Sequence, residues 1–182
     1  MNHFALLNFP PAFDLNMQAL ESAYFAAQRQ YHPDRFAGKP PAERAAALER
    51  SADINRAYEA LKNPLPRAQY LLQLQGIAVG TEADSVKPSP GLLTETMKWR
   101  EQIAEAKNAE ELDKLDEALN KILIRSIKII SNAHLYTQWD AMAQETLRLG
   151  YIFQLSLRKA LKENLYRQWN VISHPFASQG NA

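Results

Sequence analysis

Cysteine is absent from the 182 residues of this chain. Its absence excludes disulfide bonds, a cysteine nucleophile and any zinc or iron–sulfur site that depends on thiolate ligands. The remaining candidate ligands, His, Asp and Glu, do not recur at the spacing of a metal site, so we expect no metal and no cofactor. A chain without disulfides is typical of the cytoplasm, which we predict as its location.

Long apolar runs are also missing. The most apolar stretch, near residues 122–130, is interrupted by Arg125 and Lys128, and it falls well short of the roughly 20 residues that span a bilayer. Residues 1–11 show neither the basic nor the apolar region of a secretory signal. We therefore expect no membrane partner.

An excess of charge of one sign is lacking too. The 21 Lys and Arg residues nearly balance the 20 Asp and Glu residues, which leaves a net charge of +1. Nucleic-acid binders usually carry a basic excess or a continuous basic stripe, so we expect no nucleic-acid partner. Hydrophobic residues make up 46% of the chain, which excludes a wholly disordered protein.

Glycine is scarce and proline is unevenly placed. Of only six glycines, Gly76, Gly80 and Gly91 surround a segment that also contains two prolines, whereas residues 91–174 contain no proline. Both residue types interrupt helices, and a stretch without proline permits long ones. The sequence therefore predicts an N-terminal domain, a linker, a C-terminal domain and a tail, over residues 1–76, 77–89, 90–174 and 175–182.

Capping residues and helical periodicity predict the N-terminal elements. Asn16 is a suitable N-cap for a helix over 17–31, and Pro33 ends that helix because it restricts the residue before it. Pro41 suits the first turn of a second helix over 41–62. Shorter helices are expected over residues 4–7 and 65–74. The buried stripe of the helix over 41–62 is predicted as Ala45, Leu48, Ala52, Asn55, Tyr58 and Leu61.

The C-terminal half predicts three long helices, one over residues 91–106, one that follows Asn108 and runs to about residue 133, and one that follows Thr137 and runs to about residue 169. Asn108 and Glu111 have the spacing of a capping box at the start of the second of them. Long helices with short connections favour an antiparallel bundle, and no alternating strand pattern is present. The predicted fold class is therefore all-α, with an N-terminal helical hairpin linked to a C-terminal three-helix bundle.

The sequence Tyr-His-Pro-Asp-Arg-Phe joins the two long N-terminal helices. It places an imidazole, a rigid ring and a carboxylate (His32, Pro33 and Asp34) at the tip of a hairpin, with Arg29 and Arg35 beside them. A polar loop held by two helices is a natural docking point. Taken alone, the three residues are equally compatible with an ordinary interhelical turn.

The surrounding sequence gives this loop a context. Ala23-Tyr24 precede it, Ile54-Asn55-Arg56-Ala57-Tyr58 follow on the next helix, and Pro64 and Arg67-Ala68-Gln69-Tyr70 come after. This ordered set resembles the J domain of DnaJ-like co-chaperones over most of residues 1–75. The resemblance implies docking on a chaperone of the heat shock protein 70 family, whose ATP hydrolysis is thereby accelerated. The implied chaperone-binding residues are His32, Pro33, Asp34, Arg29 and Arg35.

One departure from J domains concerns charge. Their helix before the loop usually carries several basic residues, whereas here Arg29 is the only one between Leu20 and Tyr31. This pattern fits a specialised chaperone partner better than a general one.

A J domain followed by a short linker and a three-helix bundle resembles HscB, a co-chaperone family of iron–sulfur cluster assembly. The resemblance implies two partners, an HscA-like chaperone and an IscU-like scaffold protein held by the bundle. The positions that resemble the scaffold-binding face are Leu92, Leu93, Met97, Glu101 and Glu105, with Phe153 opposite. Spacing agrees, since residues 93, 97, 101 and 105 share one helix stripe. Leu93 and Met97 could equally be ordinary bundle core, and Thr94 and Lys98 depart from the family pattern.

The predicted protein is thus a non-enzymatic adaptor. The main alternative is a J-domain protein whose bundle binds a different client. A small hydrolase that uses His32 and Asp34 as a base and its orienting group is a second alternative, but no nucleophile or oxyanion-hole motif accompanies them.

Overall fold

The computed structural model describes residues 2–80 and 86–173, with side chains as far as residue 164. Every regular element in these ranges is a helix, as the all-α prediction requires, and strands are absent from them. The α-helices are α1 (His3–Leu6), α2 (Met17–Tyr31), α3 (Pro41–Lys62), α4 (Pro64–Gln73), α5 (Pro90–Glu105), α6 (Ala109–Leu135) and α7 (Trp139–Ser173), and a 3₁₀ helix covers Pro33–Phe36. Among the described helices, none combines the length and apolar character needed to cross a bilayer.

The predicted boundaries of α2 and α3 are confirmed. The side chain of Asn16 accepts a hydrogen bond from the Ala19 N–H at 3.0 Å, so it caps α2. The helix ends at His32, whose ψ of 132° is extended, as expected before a proline. Pro41 occupies the first turn of α3, where its missing N–H costs nothing.

The predicted buried stripe of α3 is wrong. The buried residues are Ala47, Ser51, Ile54, Ala57 and Leu61, so only Leu61 was placed correctly among them. Leu48 is 61% exposed and Ala45 is exposed as well. The buried face of α3 is thus rotated relative to the predicted one. Ser51 can lie on this face because its hydroxyl donates to the Gln28 side chain at 3.0 Å, so the buried hydroxyl is satisfied.

A buried arginine ties the end of α3 to the N-terminal segment. The Arg67 guanidinium donates from Nε to the Leu61 carbonyl, and from Nη1 to the Phe13 carbonyl, both at 2.7 Å. Its Nη2 also lies 3.3 Å from the Lys62 carbonyl. The side chain therefore satisfies carbonyls that the end of α3 leaves without helical partners.

The helices α5, α6 and α7 form an antiparallel three-helix bundle. The Asn108 side chain accepts from the Glu111 N–H at 2.9 Å, which confirms the predicted cap of α6. Glu111 reaches back one residue further than in a standard capping box, to the N–H of Lys107. The bundle core includes Ile103, Ala106, Leu112, Leu119 and Leu155.

The chain separates into two compact units by its contacts. The first contains the residues up to Val86 together with Ile129–Thr146, and the second contains Lys87–Lys128 together with the helix from Leu147 onward. The end of α6 and the start of α7 thus belong to the first unit. The domain limits predicted from the sequence stay predictions, and residues 81–85 of the linker and the tail over 175–182 lie outside the described residues.

Candidate functional site

The His-Pro-Asp loop is shaped by contacts within itself. The Asp34 N–H donates to His32 Nδ1 at 3.4 Å, and the same nitrogen lies 3.6 Å from Oδ2 of the Asp34 carboxylate. Pro33 fixes the start of the 3₁₀ helix between them. The His32 side chain is 55% exposed and that of Asp34 is 89% exposed. The imidazole and the carboxylate are therefore presented together to solvent on a short rigid turn.

The two predicted arginines flank this turn. Arg35 donates from Nη1 to the carbonyl oxygen of Arg29 at 3.1 Å, which satisfies a carbonyl at the end of α2. A cation at this position also interacts favourably with the negative end of the helix dipole. The structure thus brings all five predicted chaperone-binding residues into one exposed cluster.

A polar clamp, defined as Gln28, Ser51 and Asn55, holds α2 against α3 below the loop. The Gln28 amide donates to the Ser51 carbonyl at 3.2 Å and to the Asn55 side chain at 2.6 Å. Tyr24 donates its hydroxyl to Asn55 at 3.0 Å, and its ring stacks on that of Tyr58 at 4.2 Å. The sequence did not reveal the contact between Gln28 and Ser51, because the two residues meet only when α2 and α3 pack antiparallel.

Residues 32–36 of the loop do not line the cavity found between the N-terminal helices. Between α1, α2 and α3 lies a cavity of about 330 Å³, and neither His32 nor Asp34 is among its lining residues. A base that works with an orienting group needs a site that excludes water, and these two side chains are exposed. Within the described part of the chain, no cluster of three or more potential metal ligands occurs.

The predicted scaffold-binding face is largely exposed on α5. Leu93 and Met97 are 44% and 60% exposed, and Glu101 and Glu105 are exposed one and two turns further on. Phe153 on α7 is 41% exposed. The alternative interpretation, in which Leu93 and Met97 are ordinary buried core residues, is therefore wrong.

Leu92 does not share this exposure. It retains only 3% of its accessible surface, and thus belongs to the interior of the second unit. Adjacent residues of a helix point about 100° apart, so Leu92 and Leu93 cannot both lie on a narrow outer stripe. Leu92 was predicted to contact the scaffold, but its burial gives it a packing role.

Helices α5 and α7 run side by side in the same direction. Arg148 Nη1 lies 2.8 Å from the Glu95 carboxylate, and Lys162 Nζ donates to the Ile103 carbonyl at 2.7 Å. Phe153 lies on α7 between these two contacts, about 7.5 Å beyond Arg148 at the usual helical rise. This places it at the level of the middle of α5, where Met97 lies.

Comparison with known proteins agrees with this architecture. A family model described as "DnaJ domain" matches residues 2–70, and one described as "HSCB C-terminal oligomerisation domain" matches residues 88–162. The chain is 35% identical to "Co-chaperone protein HscB" of Proteus mirabilis over 172 residues, which cover 91% of this chain and 98% of that protein. It is 43% identical to "Co-chaperone protein HscB homolog" of Paraburkholderia phymatum over 121 residues, 66% of this chain and 69% of that protein.

A solved structure supports the same grouping. "Chaperone HscB from Vibrio cholerae" is 31% identical to this chain and superimposes with a TM-score of 0.79, covering 91% of this chain and 99% of that one. The matching families are co-chaperone families rather than families of catalytic enzymes. A J domain and an HscB C-terminal domain in this order, with a relative matched along almost its whole length, show that the chain belongs to the HscB family of J-domain co-chaperones.

Proposed function

We propose that this protein is an adaptor in iron–sulfur cluster assembly. Its His-Pro-Asp loop docks on an HscA-like chaperone of the heat shock protein 70 family, and its bundle holds an IscU-like scaffold protein. The observation that supports this most directly is the exposed cluster of His32, Pro33 and Asp34 in a chain of the HscB family. The cytoplasm is the location we propose for this activity.

The loop would act on its partner without reacting chemically. A docked protein can speed ATP hydrolysis only if it binds the hydrolysis-competent state of the chaperone more tightly than the resting state. His32 and Asp34 offer a ring donor and a carboxylate acceptor at the surface, and the local contacts hold both groups in place. Such preorganisation reduces the entropy lost on docking.

The bundle face combines two kinds of contact. Leu93, Met97 and Phe153 supply apolar area that becomes buried against the scaffold. Glu101 and Glu105 supply charge that orients the scaffold and favours a partner with basic residues at the matching positions. Linking the two sites in one chain raises the effective concentration of scaffold at the chaperone. When both contacts can form together, the overall avidity can exceed either single affinity by a factor of roughly 10²–10⁴.

The test is the ATPase rate of the HscA-like chaperone. It is measured with this protein, with the scaffold, with both, and with both when the protein carries His32→Gln. Glu49→Gln, a substitution of another exposed residue on α3, serves as a matched control. We expect synergy between the protein and the scaffold, with its loss in His32→Gln and its retention in Glu49→Gln.

Other outcomes would contradict particular parts of the proposal. Stimulation that does not depend on the scaffold would mean that the bundle binds a different client. Full stimulation by a folded His32→Gln protein would remove the loop from the mechanism. No stimulation by the unmodified protein would contradict the co-chaperone function proposed here.

A further inference from the structure

The cavity between α1, α2 and α3 has the size of a small-molecule site. Its volume is about 330 Å³, within the range of roughly 300–1,000 Å³ that is typical of ligand pockets, and it is partly open to solvent. Protein interiors pack with few voids larger than a water molecule. A space of this volume can therefore hold an organic ligand.

Small side chains on α2 leave this space unfilled. Ala23, Ala26 and Ala27 line the cavity from consecutive turns of α2, each with a single methyl group. Opposite them, the wall includes Leu7 from the end of α1 and Ile54 from α3, both of which are buried. Methyl and branched alkyl groups favour a ligand with an apolar body, because its burial removes apolar surface from water.

Polar groups line another part of the cavity. The Arg50 guanidinium lies 5.7 Å from the centroid of the Tyr31 ring, and both side chains belong to the lining. Gln30 and Asn8 contribute amide groups. Among the described residues that line the cavity, Arg50 is the only charged one, so it has no carboxylate beside it there. The lining therefore matches a ligand that carries one negative charge.

The edge of the cavity at α1 is held by backbone hydrogen bonds. Asn8 has a φ of 62°, in the left-handed region that asparagine tolerates better than most residues, and its N–H donates to the Ala5 carbonyl at 3.3 Å. The Phe9 N–H donates to the Phe4 carbonyl at 2.9 Å. This edge is therefore formed before a ligand arrives, which reduces the entropy lost on binding.

We propose that this space, here called the anion cavity, binds a small organic carboxylate with a short apolar chain. The carboxylate pairs with Arg50, and the chain lies against the alanines of α2. The inference goes beyond the adaptor function proposed above and does not depend on it. None of the five residues assigned to chaperone docking lines the cavity, and all of its lining residues lie in the first unit.

The test uses octanoate as the probe and the full-length protein as the receptor. Binding is measured by calorimetry and located by the NMR resonances of the methyl groups of Ala23, Ala26 and Ile54. Octanol and octylamine provide the same chain without charge and with the opposite charge. We expect octanoate to bind about tenfold more tightly than either, as for one charge-assisted contact, and to shift these three methyl resonances.

Two substitutions separate the apolar part of the cavity from its charge. Ala27→Leu fills the space with a good helix-forming residue, so octanoate binding should be lost while the helical circular dichroism stays unchanged. Ala45→Leu makes the same change at an exposed position of α3 and should bind normally. Arg50→Gln should weaken octanoate binding about tenfold, whereas Arg44→Gln, which alters an exposed arginine of the same helix, should not.

Several results would overturn the anion cavity. Octanoate that leaves the cavity methyl resonances unshifted at millimolar concentration would show that the cavity does not bind this class of ligand. Equal affinity for octanoate and octanol would contradict the role of Arg50. Normal octanoate binding by a folded Ala27→Leu protein would assign the binding to another surface. If Ala27→Leu loses its helical circular dichroism, Ala23→Leu fills the same space and repeats the test.

Discussion

The loop and the bundle face are built in opposite ways. The loop is shaped by hydrogen bonds between residues two to six positions apart, from Asp34 to His32 and from Arg35 to Arg29. The face of α5 and α7 depends on contacts between residues more than fifty positions apart, such as Glu95 with Arg148. The loop is therefore shaped locally at the tip of a hairpin that belongs to the first unit, whereas the face forms only when the bundle packs.

The largest effect is expected from removing the buried guanidinium that holds the hairpin in its unit. Arg67→Met leaves the carbonyls of Leu61 and Phe13 buried without their donor. Unsatisfied buried groups cost about 1–3 kcal/mol each, so we expect the free energy of unfolding of the first unit to fall by about 3 kcal/mol. Urea denaturation of Arg67→Met and of Arg44→Met, an exposed control, measures this.

The same variant tests whether the two sites depend on each other. If the loop depends on the first unit alone, Arg67→Met should weaken chaperone docking more than scaffold binding. Equal loss of both, in protein that remains folded, would contradict the separation drawn between loop and face.

A smaller effect is expected on the bundle face itself. Met97→Ala removes most of a side chain that is 60% exposed, and we expect scaffold binding to weaken about tenfold, as for an apolar contact near an interface centre. Glu101→Gln removes only a charge, so its effect should be smaller and should fade as salt is added. Calorimetric titration of each variant with the scaffold at two salt concentrations distinguishes the apolar effect from the ionic one. A Met97→Ala protein that binds normally would show that the apolar half of the face is misplaced.

The elements that sequence analysis predicted well are those with local causes. Asn16 marks the start of α2, Pro33 its end and Pro41 the start of α3, because each acts on the backbone within a few residues. The loop belongs to the same class. Its chemistry was visible in three adjacent residues, and the exposure expected at the tip of a hairpin is confirmed for His32 and Asp34.

The elements that it missed depend on partners distant in the sequence. Alanine occupies so many positions of α3 that it does not distinguish an inner from an outer face, and Leu48 and Tyr58 favoured a rotated helix. The burial of Ser51 is possible only because Gln28, 23 residues earlier, accepts its hydrogen bond. Leu92 was misjudged for the same kind of reason, since helix spacing defines a stripe but not the direction in which the stripe points.

The smallest expected effect is that of lowering the pH, which should reduce the stability of the first unit more than that of the second. Burial lowers the pKa of His3, whose ring stacks on Tyr70 at 4.3 Å, with Asp53 opposing the shift. Burial also lowers the pKa of His134, next to Trp139, against an opposing effect of Asp14. Both histidines lie in the first unit, and the described residues of the second unit include no histidine.

The direction of the effect follows from the lowered pKa values. Above about pH 6.5 these rings are neutral in both the folded and the unfolded state. Below that pH the unfolded chain binds protons that the folded first unit does not bind, so the free energy of unfolding of the first unit falls. Hydrogen exchange from about pH 7.5 to about pH 5.5 should therefore show the first unit losing protection faster than the second, after correction for the intrinsic exchange rate. In the double variant His3→Gln, His134→Gln this difference should shrink, because the proton uptake that causes it is gone. Parallel loss of protection in the two units of the unmodified protein would contradict this prediction. So would a double variant that kept the full difference, because the titration of these two histidines would then not be the cause of the contrast between the units.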